Sequence, residues 1–386
     1  MLRIATILIS CSVALLIAIG MVMLASTSFW VASPENPLSL FNKQVGILTA
    51  ALASGFLLML LSPSQIRALA MPLFILGLLC LIACYIPGIR VNRGGAFRWI
   101  DLPLLPQFQP SEIGKITTLI GLAAFFASHT AEIGRFFRGF VLPSLIVCVP
   151  VMLIFFEEDM DTALALGFVC MLTMWCIGTK IRFIIPSAMI AICAVTFLIS
   201  LSENRMRRIN SFTQLENFTT SDKKIQDVNR QQWHALLGYG TGGLHGEGLG
   251  NSRQKHGFLA EAHTDFILPV VGEELGLKCT LGVLFCYVGL GLGGLIVAMH
   301  AKQVFERALA TGLTLIILVP AMINIAVTTG SCPNAGLPLP FISYGGTNLM
   351  FSIWSIALLL GINRQNIIQQ AKTGEAFIPT PMPMKL

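Results

Sequence analysis

ALATGLTLIILVPAMINIAVTTGSCPNAGLPLPFISYGGTNLMFSIWSIALLLGIN, residues 308–363, is the stretch that decides the fold. It holds no charged side chain. A membrane-crossing helix needs about 20 apolar residues, so the run is too long for one crossing. Pro333, Pro338 and Pro340 divide it into two, 308–330 and 341–363. Working outward, uncharged runs recur at 4–34, 44–66, 68–89, 116–131, 139–156, 162–179, 183–202 and 279–301. The short run 116–131 extends back through Ile113 and carries Lys115 into the membrane edge. The first run is too long for a signal-peptide core and reads as an uncleaved span. The total is ten spans, with both ends on one face.

Composition agrees. Of 386 residues, 55% are apolar and 11% charged, and the mean hydropathy is +0.77. A soluble domain carries about 25% charged residues. An ordinary cytosolic enzyme, a disordered chain and a disulfide-stapled scaffold are excluded. The expected fold is an all-α polytopic integral membrane protein of about ten transmembrane helices. It forms one domain over 1–370, with a long extracytoplasmic loop at 203–265 and a short cytoplasmic tail at 371–386.

Lys and Arg in short loops set the orientation. With the N-terminus inside, inner segments hold Arg3, Arg67, Arg135, Arg138, Lys180, Arg182, Lys302, Arg307, Arg364 and Lys372. The outer loop 157–161 holds Glu157, Glu158, Asp159 and Asp161 and no base. Against this trend, outer loop 88–111 carries Arg90, Arg93 and Arg98. Arginines on an outer face suggest an anionic ligand such as a diphosphate. Nine of the ten cysteines lie in or beside apolar runs, with no C-x-x-C pair, and read as packing residues.

Loop 203–265 opens with mixed charges that suit an interfacial helix anchored by Trp233. Gly238 to Gly250 then packs seven glycines into thirteen residues. It matches neither a Walker loop nor a dinucleotide fingerprint, and reads as a flexible connector or a weak phosphate cradle. His234, His245, His256 and His263 share this loop without the spacing of a zinc site. Asp265 begins an apolar segment, with Thr264 placed to cap a helix. Its carboxylate suits two uses equally: partner for a helix dipole, or base over a lipid-side cavity. Glu112 and Lys115 stand three apart on one helix and can pair inside the membrane. Glu273, Glu274 and Gly276 mark a helix break or the lower end of a polar cavity, and Gly289-x-x-x-Gly293 is a close-packing face.

These blocks carry a resemblance. Arg98-Trp-Ile100 with Gln109-Pro-Ser-Glu112, then Gly248–Lys255, Glu261–Phe266 and Gly272–Gly276, then Pro338–Gly346, fall in the order found in the SEDS family (shape, elongation, division and sporulation proteins). Ala25-Ser-Thr-Ser28 and Asn251-Ser-Arg-Gln-Lys255 look more like the division branch than the elongation branch. Some positions depart from the family pattern: Glu158-Asp-Met-Asp-Thr162 stands for Pro-Asp-Leu-Gly-Thr, with Asp161 in place of the glycine, Ala260 stands for a proline, and Thr347-Asn348 for a serine pair.

The resemblance implies a peptidoglycan glycosyltransferase that polymerises lipid II, or a growing lipid-linked glycan, with inversion at the anomeric carbon. Asp265 is then the general base, expected to be ionised near neutral pH because an unperturbed Asp titrates near 3.9. From charge and position, Arg98, Arg253 and Lys255 are candidates to hold the diphosphate, and Glu112, Lys115 and His263 join them as substrate-binding candidates. A divalent cation, magnesium or manganese, can share that work, though no ligands are identifiable. The resemblance also implies a class B penicillin-binding protein transpeptidase and other divisome proteins as partners. No nucleic acid is expected. The implied setting is the bacterial inner membrane, with both termini cytoplasmic and the active site on the extracytoplasmic face. A lipid II flippase and a non-catalytic division scaffold are the alternative readings.

Overall fold

The structure, a computed structural model, describes residues 1–31, 36–93, 96–102, 105–213, 223–256, 258–259 and 261–373. Its helices are α1 (Leu2–Val31), α2 (Ser39–Leu60), α3 (Pro63–Ala68), α4 (Ala70–Ala83), α5 (Pro110–Ser128), α6 (Leu142–Phe156), α7 (Met160–Ile177), α8 (Ile181–Ser200), α9 (Glu203–Thr213), α10 (Lys223–Gly242), α11 (Ile267–His300), α12 (Val304–Thr328) and α13 (Gly346–Thr373). Eight helical segments are long and apolar enough to cross a membrane, and α4 is a shorter apolar helix. With α5, which carries Glu112 and Lys115, they correspond to the ten expected runs. The Ala260 departure, residues 214–222 and the tail beyond Thr373 lie outside the described residues.

Local chemistry fixes the helix ends. Ser62 and Gln65 form a reciprocal capping box at α3, with Pro63 at the first helical position. Asp159 caps α7, which ends on Gly178 in the left-handed conformation. Burial then sorts the layers. α5 and α12 are buried on most faces and stand at the centre, whereas α8 buries no residue and lies at the rim. The Gly289–Gly293 face meets α1 closely: a Cβ at Gly289 would lie 2.7 Å from Ser12 Oγ, and one at Gly293 2.6 Å from Ile9. All ten cysteines are free.

Three local features differ from the sequence reading. Loop 88–111 holds a small antiparallel sheet, β1 (Arg90–Arg93), β2 (Ala96–Leu102) and β3 (Leu105–Phe108), in the order β1-β2-β3. Val91 pairs with Trp99 and Ile100 with Phe108, a β-branched and aromatic pattern that span counting does not register. The first glycines of 238–250 belong to α10 rather than to a loop. Thr264 does not cap α11: the helix begins at Ile267, and the Thr264 hydroxyl donates instead to Glu261 Oε2 at 2.7 Å.

α11 breaks where the two glutamates and glycine suggested. Gly276 has φ 76° and ψ −179°, a conformation essentially confined to glycine. The break separates a short outer piece, 267–275, from a lower piece, 277–300. At 1.5 Å per residue the lower piece alone is ~35 Å long, enough to span the hydrocarbon layer. The outer piece is thereby available to carry Asp265 over the bundle.

Candidate functional site

Asp265 lies just ahead of the outer piece of α11, in a segment pinned by its backbone. Asn324 of α12 donates to the Asp265 carbonyl at 2.7 Å and to the Leu337 carbonyl at 2.8 Å. The Ser343 hydroxyl donates to the Thr264 carbonyl at 2.6 Å, and the Tyr344 amide to the His263 carbonyl at 2.9 Å. The α12–α13 loop is thus stitched along residues 263–265. These bonds occupy backbone groups and leave the Asp265 carboxylate, which is half-buried, facing Gly336.

Arg98 on β2 reaches this corner from the sheet. Its guanidinium pairs with Asp159 Oδ1 at 3.5 Å, while its Nε is buried without a hydrogen-bond partner. Asp159 also accepts from Gln109 Nε2 at 3.0 Å and from the Thr162 amide at 3.4 Å. Asp161, in the first turn of α7, accepts the Gly336 N–H at 2.9 Å and pairs with Arg208 of α9 at 3.7 Å. Glu157 is buried beneath them.

Carboxylates outnumber cations here, and their protonation follows. Burial first, then the charge of Glu261, push the Asp265 carboxyl up to about 7; Arg98 opposes this, and Asp161 and Asp159 add to it. The expectation of a fully ionised Asp265 at neutral pH is therefore corrected. Burial, then Asp159, raise Glu157 to about 8. Burial also raises Asp159, against the lowering by Arg98. His263 is pushed below its ordinary value, chiefly by burial, so its imidazole is neutral; it lies 5.8 Å from the Tyr344 ring.

Three non-glycine residues have positive φ among the described residues: Glu158 (65°), Glu261 (58°) and Phe341 (70°). One lies in the Glu157–Asp161 turn, one four residues before Asp265, and one in the α12–α13 loop. Such backbone is costly and concentrates at functional sites.

The other candidates fall elsewhere. Lys255 is turned into a closed cluster: its ammonium bonds Glu274 Oε1 and the Gly250 carbonyl at 2.7 Å and Ser26 Oγ at 2.9 Å. The reason is Glu274, a fully buried carboxylate that takes the nearest cation. Ser26 completes the arrangement by donating to both Glu274 oxygens, at 2.8 and 2.9 Å. The first-span serine block and the Asn251–Lys255 block are thus one unit in space. Glu273 accepts from the Ser252 hydroxyl and from the Arg253 and Gln254 amides at 3.1 and 3.3 Å. The Arg253 side chain is exposed. Glu112 and Lys115 form a buried ion pair at 2.8 Å beside a small pocket, which Asn348, Ser352, Ser355 and Pro340 also line. Asn348, one of the family departures, donates to Glu112 at 3.4 Å.

Sequence reasoning gave Asp159 only a topological role and marked Asp161 as a charge standing in place of the family glycine. The signal that could have placed Asp159 is its position three residues before Thr162, at the start of an apolar run. No signal of that kind exists for Gly336 or Asn324. Among the described residues, no three His, Cys, Asp or Glu side chains gather as metal ligands.

A family model described as "Cell cycle protein" (FtsW, RodA, SpoVE) matches residues 6–367. A Geobacter sp. (strain M18) protein named "Probable peptidoglycan glycosyltransferase FtsW" is 36% identical over 294 residues, 76% of this chain and 78% of its own. A Coxiella burnetii protein of the same name is 31% identical over 363 residues, 92% of this chain and 95% of its own. Among solved structures, Thermus thermophilus rod shape determining protein RodA is 25% identical with a TM-score of 0.66, covering 93% of this chain and 96% of that one. A chain from "Structural coordination of polymerization and crosslinking by a peptidoglycan synthase complex" shares the fold at a TM-score of 0.73 and 24% identity, covering 93% of this chain and 97% of that one.

Proposed function

The chain belongs to the FtsW/RodA/SpoVE family of cell cycle proteins, and on that premise we propose that it is a peptidoglycan glycosyltransferase of the division branch that polymerises lipid II. The observation that carries the mechanism is the state of Asp265. Its carboxylate is half-buried, free of any ion pair among the described residues, and pushed up to about 7. A general base works best with a pKa near the operating pH.

In this reading the 4-hydroxyl oxygen of the acceptor sugar attacks the donor's anomeric carbon. Its proton passes to Asp265 as the new bond forms. The bond to the lipid diphosphate breaks with its electron pair on the departing oxygen, inverting the carbon. Arg98, whose Nε has no partner, is the cation best placed to meet the developing diphosphate charge. The exposed Arg253 is a second contact for the lipid diphosphate, and the neutral His263 a wall of the acceptor side. No step is assigned to magnesium or manganese, because among the described residues no three His, Cys, Asp or Glu side chains gather as a ligand set.

The protein sits as one domain, 1–370, in the bacterial inner membrane, with both termini cytoplasmic and Asp265 on the extracytoplasmic face. Its partners are lipid II, the growing lipid-linked glycan, a class B penicillin-binding protein transpeptidase and other divisome proteins. The decisive assay gives purified protein lipid II in detergent, with and without that transpeptidase. Glycan polymer from the parent and none from Asp265→Asn supports the reading; polymer from both refutes the assigned base.

The buried Glu112–Lys115 ion pair inside the bundle is the observation behind a second reading, transport of lipid II. Translocation in vesicles by a protein that makes no polymer in detergent would select it.

A further inference from the structure

Asp161 stands where the resemblance leads one to expect a glycine, and the structure gives its carboxylate two partners. Its Oδ2 accepts the Gly336 N–H at 2.9 Å and lies 3.7 Å from Arg208 Nη1. Gly336 is the backbone unit that Asp265 also faces. A Cβ built there would lie 3.4 Å from Asp265 Oδ2 and 3.8 Å from Asp161 Oδ2. Gly336 is not among the positive-φ glycines. Gly336 thus stands between the two carboxylates, its amide bonded to Asp161 and its Cα side facing Asp265. The α12–α13 loop is also held by Asn324, Thr264 and His263, by Gln231 and Gln232 of α10, and by Tyr287 of α11. Asp161 adds a tie at the Gly336 amide itself, and through Arg208 it links that tie to α9.

We propose that Asp161 is a positioning residue for the transfer reaction: it fastens the Gly336 backbone between α7 and α9 and presents a second negative charge to Asp265. The inference rests on the reading of Asp265 as the base. The charged groups that act on Asp265 are Glu261, Asp159 and Asp161, which raise its pKa, and Arg98, which lowers it. Of these, Asp161 alone is bonded to the amide that Asp265 faces. Neutralising it favours the ionised form of Asp265 and so raises activity at low pH relative to high pH.

The test is the pH profile of lipid II polymerisation by the purified protein with its transpeptidase, for the parent, Asp161→Asn, Asp161→Gly and Asp265→Asn. Asn keeps an oxygen that can accept from Gly336 but loses the charge. The expected result is an acid limb displaced downward in Asp161→Asn, so that the pH 6 to pH 8.5 rate ratio rises about threefold, half a pKa unit or so. Asp161→Gly shows the same displacement together with a higher KM, because the tie is also lost, and Asn restores that KM. Acid limbs that superimpose on the parent in both variants overturn the proposal while leaving Asp265 as base. Full activity of Asp265→Asn overturns both.

Discussion

Lys255 and Glu274 form an ion pair of 2.7 Å in which both side chains are wholly excluded from solvent. They tie the loop before Asp265 to the kinked helix that follows it. Ser26 of α1 joins them, so three segments distant in sequence meet at two charges. Removing one member of such a pair leaves an uncompensated charge, which costs about 3–5 kcal/mol. Lys255→Met is therefore expected to lower thermal stability sharply in detergent, measured by tryptophan fluorescence on heating. Adding Glu274→Gln recovers most of the loss. A single variant as stable as the parent contradicts the closed cluster.

Asp265→Asn is expected to fold normally, since burial already disfavours the charge that the substitution removes. Its polymerisation rate falls by about 10²–10⁴, the usual worth of a general base. In the parent the base must be deprotonated. Activity is then lost as pH falls through about 7, some three units above where an ordinary Asp would lose it. An acid limb near pH 4 would show that Asp265 is not held as described.

Arg98→Ala carries the opposite electrostatic sign to loss of Asp161. Arg98 lowers the Asp265 pKa, so its removal raises that pKa and moves the acid limb to higher pH. The same variant loses a contact to the departing diphosphate, so the plateau rate drops as well. A pH-rate series that shows a lower plateau with an unmoved limb would separate the two roles and reject the first.

Gly276→Ala tests the helix break. A Cβ there would lie 2.4 Å from the Gly246 amide nitrogen and 2.6 Å from the His245 carbonyl carbon, at a φ of 76°. The conformational cost alone is of order 1–3 kcal/mol. Reduced folded yield in size-exclusion chromatography is expected, with Gly276→Ala retaining little polymerase activity. Wild-type yield and rate would mean that α11 tolerates a straight course.

The spans, their number and the family were legible in the chain itself. Hydropathy is a local property, and 308–363 with its prolines announces two helices wherever they pack. The break at Gly276 was foreshadowed by a glutamate pair followed by glycine. The sheet at 90–108 was not, because strands of four to seven residues leave no trace in a hydropathy count.

The sequence by itself determined that the chain enters a membrane, how many times it crosses, and that Asp265 stands at a boundary of one crossing. Only the tertiary structure decided the company those residues keep. It closed Lys255 against Glu274, though its charge had suggested a ligand contact, and it gathered Asp161 and Asp265 about Gly336. Charge, burial and proton affinity at a point in space depend on side chains contributed by distant segments. Those distances are set by packing, and no stretch of sequence carries them.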